Sequence, residues 1–150
     1  MSRPTSEIYI YNPRDACTSN VEVQKLGDYI FQLECNNLFD EDLVYGTVIE
    51  VEKSLTKDGH FQFKKILKVS KYTQETYLLP TSLNETELRI VGDKIVAEGG
   101  YWEVVMGGMG IVNLPKQSYL DVNEELNILV KEKLLRKLLQ GLVNHHHTKK

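Results

Sequence analysis

The chain has 150 residues, of which 41% are hydrophobic and 26% charged, and its net charge at pH 7 is −3. These values are typical of a soluble domain with a hydrophobic core. No apolar run approaches the roughly 20 residues of a membrane-spanning helix, the N-terminus lacks the apolar core of a signal peptide, and two cysteines are too few for a disulfide framework. We therefore expect a cytoplasmic protein with reduced thiols.

The first half of the chain predicts β-strands, because short runs alternate apolar and polar residues. Residues 12–20 have the composition of turn and loop. In the run 60–70, strand parity predicts one apolar face, made of Phe61, Phe63, Leu67 and Val69. Glu50 and Glu52 are expected to pair with lysines of this run across the ladder. The predicted strands are residues 7–11, 28–34, 44–53, 60–70 and 76–79.

The segment 99–115, GGYWEVVMGGMGIVNLP, holds five of the ten glycines and the only tryptophan. Glycine pairs supply the positive φ angles of two-residue hairpin turns. The segment and the residues before it therefore predict a meander of strands 87–91, 94–98, 101–106 and 109–114. An alternative treats Gly99 and Gly100 as a bulge within one longer strand. Tight turns fix the register, which places on one face Trp102, Val104, Met106, Met109 and Ile111.

A helix is predicted from residue 122 to residue 140. Asp121 is a good N-cap residue with Glu124 three positions later, and Gly141 is a candidate stop. At about 100° per residue, the two halves of this helix point their apolar faces in different directions. The first half carries Leu126, Leu129, Val130 and Leu134, and the second half carries Leu135, Leu138, Leu139 and Leu142. A sheet can cover the first face. For the second face there are two alternatives: it packs against another chain, or a loop or strand of the same chain covers it.

Together these elements predict an α+β fold, with an antiparallel, strongly bent sheet or partly open β-barrel of about seven to nine strands and a C-terminal α-helix. One domain is expected over residues 1–143, followed by a disordered basic and histidine-rich tail, residues 144–150. The middle third, which includes DYIFQLE and VYGTVIEVEK, resembles small β-rich bacterial domains without an assigned activity. This resemblance implies no site residues.

No group of residues predicts catalysis or a metal site. The histidines 145–147 lie on a tail rather than in a preorganised site, and nothing in the sequence places Cys35 beside His60 as nucleophile and base. We therefore expect no catalytic residue, no metal and no cofactor. The basic excess lies in residues 131–150, and the acidic remainder argues against nucleic acid as a partner.

The sequence favours a non-enzymatic protein-binding or assembly module, in which the C-terminal helix binds a protein partner or a second copy of the chain. One alternative is an inhibitor or immunity-type protein whose acidic surface binds a basic toxin. Another is a small enzyme or ligand binder with a sheet cavity near Trp102. Because Trp and Met are favoured in interface cores, the candidate contact residues are Leu135, Leu138, Leu139, Leu142, Trp102, Met106 and Met109.

Overall fold

The computed structural model describes residues 4–37, 42–105 and 108–148, with side chains through residue 144. Within these ranges there are eight strands and two helices. The predicted α+β class, strand number and C-terminal helix are therefore confirmed. The chain divides into two compact units, residues 1–74 and 75–150. The expectation of one domain over residues 1–143 stays a prediction.

The first unit is a closed five-stranded barrel, where the sequence predicts a bent sheet or a partly open barrel. Successive strands pair antiparallel, and a parallel pairing of the first and last strands closes the barrel. The strands are β1 (Ser6–Asn12), β2 (Cys17–Gly27), β3 (Ile30–Leu33), β4 (Val48–Lys53) and β5 (His60–Lys68). Alternate apolar side chains fill its interior: Ile10, Val21, Val23, Phe31, Leu33, Leu43, Ile49 and Val51.

The predicted apolar face of β5 is correct only for its first half. The register of β4 and β5 shifts at two places: Lys64 is an extra residue on β5 between the partners of Glu50 and Val51, and Leu67 is another between the partners of Val48 and Ile49. Such a bulge moves the following side chains to the other face. Ile66 therefore packs against the barrel core together with Phe61 and Phe63. The predicted core positions Leu67 and Val69 are 43% and 71% exposed instead. The expected cross-strand pairing is present for Glu50, since Lys64 Nζ lies 3.2 Å from its Oε1, whereas Glu52 forms no ion pair with any described residue.

The second unit is a three-stranded antiparallel sheet of order β6-β8-β7 that packs against two helices. Its elements are β6 (Glu75–Leu78), α1 (Glu85–Ala97), β7 (Tyr101–Val105), β8 (Met109–Asn113) and α2 (Val122–Thr148). Because α1 connects two strands that lie on either side of β8, the arrangement is a split βαβ unit extended by a hairpin and a helix. The core contains Leu83, Val91, Ile95, Val112, Leu114, Val122, Leu126 and Leu129.

Helix α1 takes the place of strands 87–91 and 94–98, so this part of the predicted meander is wrong. Asn84 is the N-cap: its Oδ1 accepts a hydrogen bond from Glu87 N at 2.9 Å, and Glu87 Oε1 accepts one from Asn84 N at 2.9 Å. This reciprocal pair is a capping box, which satisfies two backbone donors that have no partner within the helix. Gly92, which falls between these two predicted strands, therefore lies inside a helix.

Gly99 and Gly100 end α1, and are neither the predicted hairpin turn nor the alternative bulge. Gly99 has a φ of +84°, the left-handed conformation that glycine adopts after a helix. Gly99 N donates to Val96 O at 2.9 Å, and Gly100 N donates to Ile95 O at 2.9 Å. These two bonds form a Schellman motif, which uses two carbonyl groups left free by the last turn.

The register of β7 and β8 differs by one residue from the prediction. Trp102 lies opposite Val112, and Val105 lies opposite Met109, because the strands are joined by three residues, 106–108, rather than by two. Side chains alternate along a strand, so Trp102 and Met109 lie on opposite faces and the predicted common face is wrong. Met106, another predicted contact residue, lies outside the described residues.

Helix α2 begins as the sequence predicts and ends later. Asp121 Oδ1 accepts a hydrogen bond from Glu124 N at 3.1 Å, which confirms Asp121 as the N-cap. Gly141 has a helical backbone rather than the left-handed conformation of a capping glycine, and the helix continues to Thr148. The first five residues of the predicted tail therefore belong to α2. Neither helix has, over its described residues, an apolar stretch long enough to cross a bilayer.

Candidate interaction surface

The first half of α2 is a core helix. Val122, Leu126 and Leu129 are 3%, 5% and 9% exposed, and they pack with α1 and β8. At about 100° per residue, the same side of the helix continues to Lys133. The side of α2 that faces the core therefore turns polar at Lys133.

Lys133 holds α2 to the beginning of α1. Its ammonium group lies 2.7 Å from Glu87 Oε1 and donates to the Ser82 carbonyl oxygen, while Arg136 lies 3.9 Å from the other oxygen of Glu87. The hydrogen bond from Lys133, followed by the one from the Asn84 backbone, holds the pKa of the Glu87 carboxyl below its ordinary value of 4.5. Since Glu87 also closes the capping box, one carboxylate links both helices.

Past Lys133, the apolar side chains of α2 lie on the opposite side of the helix. We call these residues the leucine stripe: Leu134, Leu135, Leu138, Leu139 and Leu142. Their exposed fractions are 57%, 57%, 59%, 54% and 67%. At about 100° per residue they share an arc centred about 180° from the core side. The predicted change of direction between the two halves is therefore confirmed, except that Leu134 belongs to the exposed half.

Two further residues extend the line of the stripe toward the beginning of α2. Ile128 lies seven positions before Leu135 and is 41% exposed, and Lys131 lies between them on the same side of the helix. Sequence reasoning missed this extension. The seven-residue spacing of Ile128, Leu135 and Leu142 was the signal that could have revealed it.

Trp102, which the sequence places on a contact surface, is partly buried against the core of the second unit. It packs against the core cluster, and its indole lies so close to α1 that only a glycine fits at position 92. A cavity of about 20 Å³ beside it is lined by apolar side chains that include Val91, Ile95 and Leu126. This volume is enough for about one water molecule. Met109, another predicted contact residue on this sheet, is 39% exposed.

The two residues considered for nucleophilic chemistry have structural surroundings in the barrel. Cys35 packs against the barrel core, and its thiol lies 3.7 Å from the Glu22 carbonyl oxygen. His60 stacks on Tyr9 with ring centroids 4.6 Å apart. Among the described residues, no three His, Cys, Asp or Glu side chains converge as a metal site.

The comparisons with known proteins give a likeness of fold. No protein-family model matches the chain, and no curated protein matches it. A crystal structure of a hypothetical protein from Neisseria gonorrhoeae is similar to it, with a TM-score of 0.52 and 16% sequence identity over 89% of this chain and 92% of that one. At this identity the similarity extends to the fold alone.

Proposed function

We propose that the protein is a non-enzymatic assembly module that binds a second copy of itself through the leucine stripe of α2. The observation that carries this proposal is the exposure of five leucines, each more than half exposed, on one side of one helix. Contiguous apolar surface of this kind marks interaction sites in soluble proteins. The stripe lies on the second half of α2, and the first half of the same helix is packed in the core.

The charge pattern favours an antiparallel pair of helices. Lys131 lies in line with the stripe, so a parallel pair would bring two ammonium groups into one buried layer. An antiparallel pair centred between Leu135 and Leu138 places each Lys131 beside Leu142 of the other copy. At 1.5 Å per residue the two ammonium-bearing residues are then about 16 Å apart along the axis. Each lysine side chain can reach water past the end of the stripe.

The small volume of the cavity beside Trp102 supports assembly over ligand binding at that place, since sites for small molecules are usually about 300–1,000 Å³. We propose a cytoplasmic location as well, in keeping with Cys17 and Cys35, which are free thiols.

The test is a comparison of two leucine-to-aspartate variants by light scattering. Leu138→Asp places a charge at the centre of the stripe and is expected to yield a folded monomer. Leu55→Asp is the matched control, because Leu55 is 98% exposed in the loop between β4 and β5, and it is expected to keep the native mass of the unmodified chain. If Leu138→Asp stays folded and keeps that mass as well, the stripe is not an interface.

A further inference from the structure

One end of the barrel carries a cleft with aromatic walls. It has a volume of about 370 Å³ and is lined by Asp28, Tyr29, Lys53, Gly59, His60 and Phe61. This size lies in the usual range for small-molecule sites. Phe61, one of the lining residues, packs against the barrel core. Tyr29 contacts Phe61 edge to face, with ring centroids 6.4 Å apart. Tyr29 itself is 47% exposed.

The imidazole of His60 stacks on the ring of Tyr9. The parallel pairing of β1 and β5 places Tyr9 directly opposite His60, and the two rings stack 4.6 Å apart with an interplanar angle of 8°. One face of the imidazole is therefore covered by Tyr9. The cleft thus presents two aromatic rings, those of His60 and Tyr29, held in place by strand pairing and by contact with Phe61.

The rim of the cleft provides polar groups of both signs. Lys53 forms no ion pair with any residue in the described ranges, in contrast to Lys64, which is paired with Glu50. Tyr29 and Lys53 also line a second hollow of about 410 Å³, together with Glu52. A single unpaired cation beside two aromatic rings suits a ligand with one anionic group, and nearby carboxylates suit hydroxyl and amino donors.

We infer that this cleft binds a nucleotide, with the base against the rings of Tyr29 and His60 and the phosphate on Lys53. Bases stack on aromatic side chains irrespective of their identity, because every base has a π-face. The carboxylate of Asp28, which lines the cleft, is suited to ribose hydroxyls. The site lies in the barrel, separate in sequence from the leucine stripe.

The charges around the cleft favour a free mononucleotide over a nucleic acid strand. A nucleic acid strand needs several cations along its backbone, whereas the lining of this cleft has one cation, Lys53, together with the carboxylate of Asp28. The net charge of the protein, −3, also provides no overall electrostatic attraction for a nucleic acid strand. One lysine offsets only part of the charge of about −1.5 to −2 that a single phosphate monoester carries at pH 7, so the cleft has no cation for further phosphates.

The test is a titration of the full, isotope-labelled chain with AMP, followed by backbone chemical shifts. Shifts are expected at residues 28–29, 53 and 59–61. Tyr29→Ala is expected to weaken binding at least about fivefold, and Tyr29→Phe to keep it. Lys53→Gln is expected to weaken binding of AMP while leaving that of adenosine unchanged. Tyr119→Ala and Lys116→Gln are the controls, since both residues are exposed and lie in the second unit.

Three results overturn the inference. The first is the absence of shifts up to about 10 mM AMP, and the second is equal loss in the Tyr119→Ala and Lys116→Gln controls. The third concerns the source of the ligand: if a ten-nucleotide single strand binds through the same residues much more tightly than AMP, the natural ligand is a strand and not a mononucleotide. Ribose 5-phosphate, which lacks the base, is expected to cause no shift.

Discussion

The substitution Gly92→Ala tests the packing of α1 on Trp102. A Cβ atom at position 92 would lie 2.3 Å from Cε2 and Cζ2 of the indole, whereas carbon atoms in contact normally lie about 3.5–4.0 Å apart. The ring or the helix must therefore move by more than about 1 Å. Overpacking of this kind costs about 1–3 kcal/mol, and the large displacement places the cost near the upper end.

The same substitution has a favourable part, because alanine stabilises a helix interior by about 1 kcal/mol relative to glycine. The net expectation is a loss of about 2 kcal/mol in the free energy of unfolding. Gly141→Ala is the matched control. No atom lies within 4 Å of a Cβ built there, so this change in α2 is expected to be stabilising by up to about 1 kcal/mol.

The assay is urea unfolding followed by the fluorescence of Trp102, the only tryptophan. Because Trp102 lies in the second unit, the signal reports on the unit that contains both glycines. Opposite signs for Gly92→Ala and Gly141→Ala are the expected result. A Gly92→Ala protein that is as stable as the unmodified chain would refute the close packing of indole and helix.

Two further predictions concern the cap of α1. Asn84→Ala removes the acceptor for Glu87 N and is expected to lower the free energy of unfolding by about 1 kcal/mol, measured by the same urea titration; an unchanged value would contradict the capping box. Because the pKa of Glu87 is lower in the folded protein, its ionisation adds stability above pH 4.5, and this is lost as the pH falls through the lowered value. Glu87→Gln is expected to retain the cap and to reduce the loss of stability between neutral and acidic pH, and an identical pH profile would argue against the Glu87–Lys133 pair.

The strands of the barrel could be predicted because alternation of apolar and polar residues follows directly from the geometry of a strand. Four of the five strands, β1, β3, β4 and β5, overlap predicted runs. β2 was missed altogether: its first four residues, 17–20, continue the turn-forming composition around Arg14 and Asp15 and were assigned to a loop, and no strand was predicted for residues 21–27. The bulge at Lys64 could not be predicted, since an unpaired extra residue leaves no mark on the local pattern.

Helix α1 was missed because its glycines have packing and capping functions that resemble turn signals in sequence. Gly92 is required by the approach of Trp102, a contact that only the fold creates. The capping pair of Asn84 and Glu87 was present in the sequence as a helix start signal. Gly99 follows as a helix stop signal of equal clarity. Reading these two ends together, rather than each glycine separately, would have favoured the helix.

The leucine stripe could be located from helical periodicity alone, because direction around a helix depends only on residue number. What covers the stripe depends on surfaces that are distant in sequence. Its exposure in the single chain was therefore beyond prediction. The aromatic cleft was missed for a related reason, since it joins the end of β4, the start of β5 and the turn before β3 through pairings that local patterns do not encode.

The most direct test of self-association through α2 is the native mass of the unmodified chain, measured by light scattering over a series of dilutions. The account predicts twice the chain mass of 17.3 kDa at high concentration, with a decline to the single-chain mass on dilution. A mass of 17.3 kDa at every concentration would contradict the proposal that the leucine stripe binds a second copy.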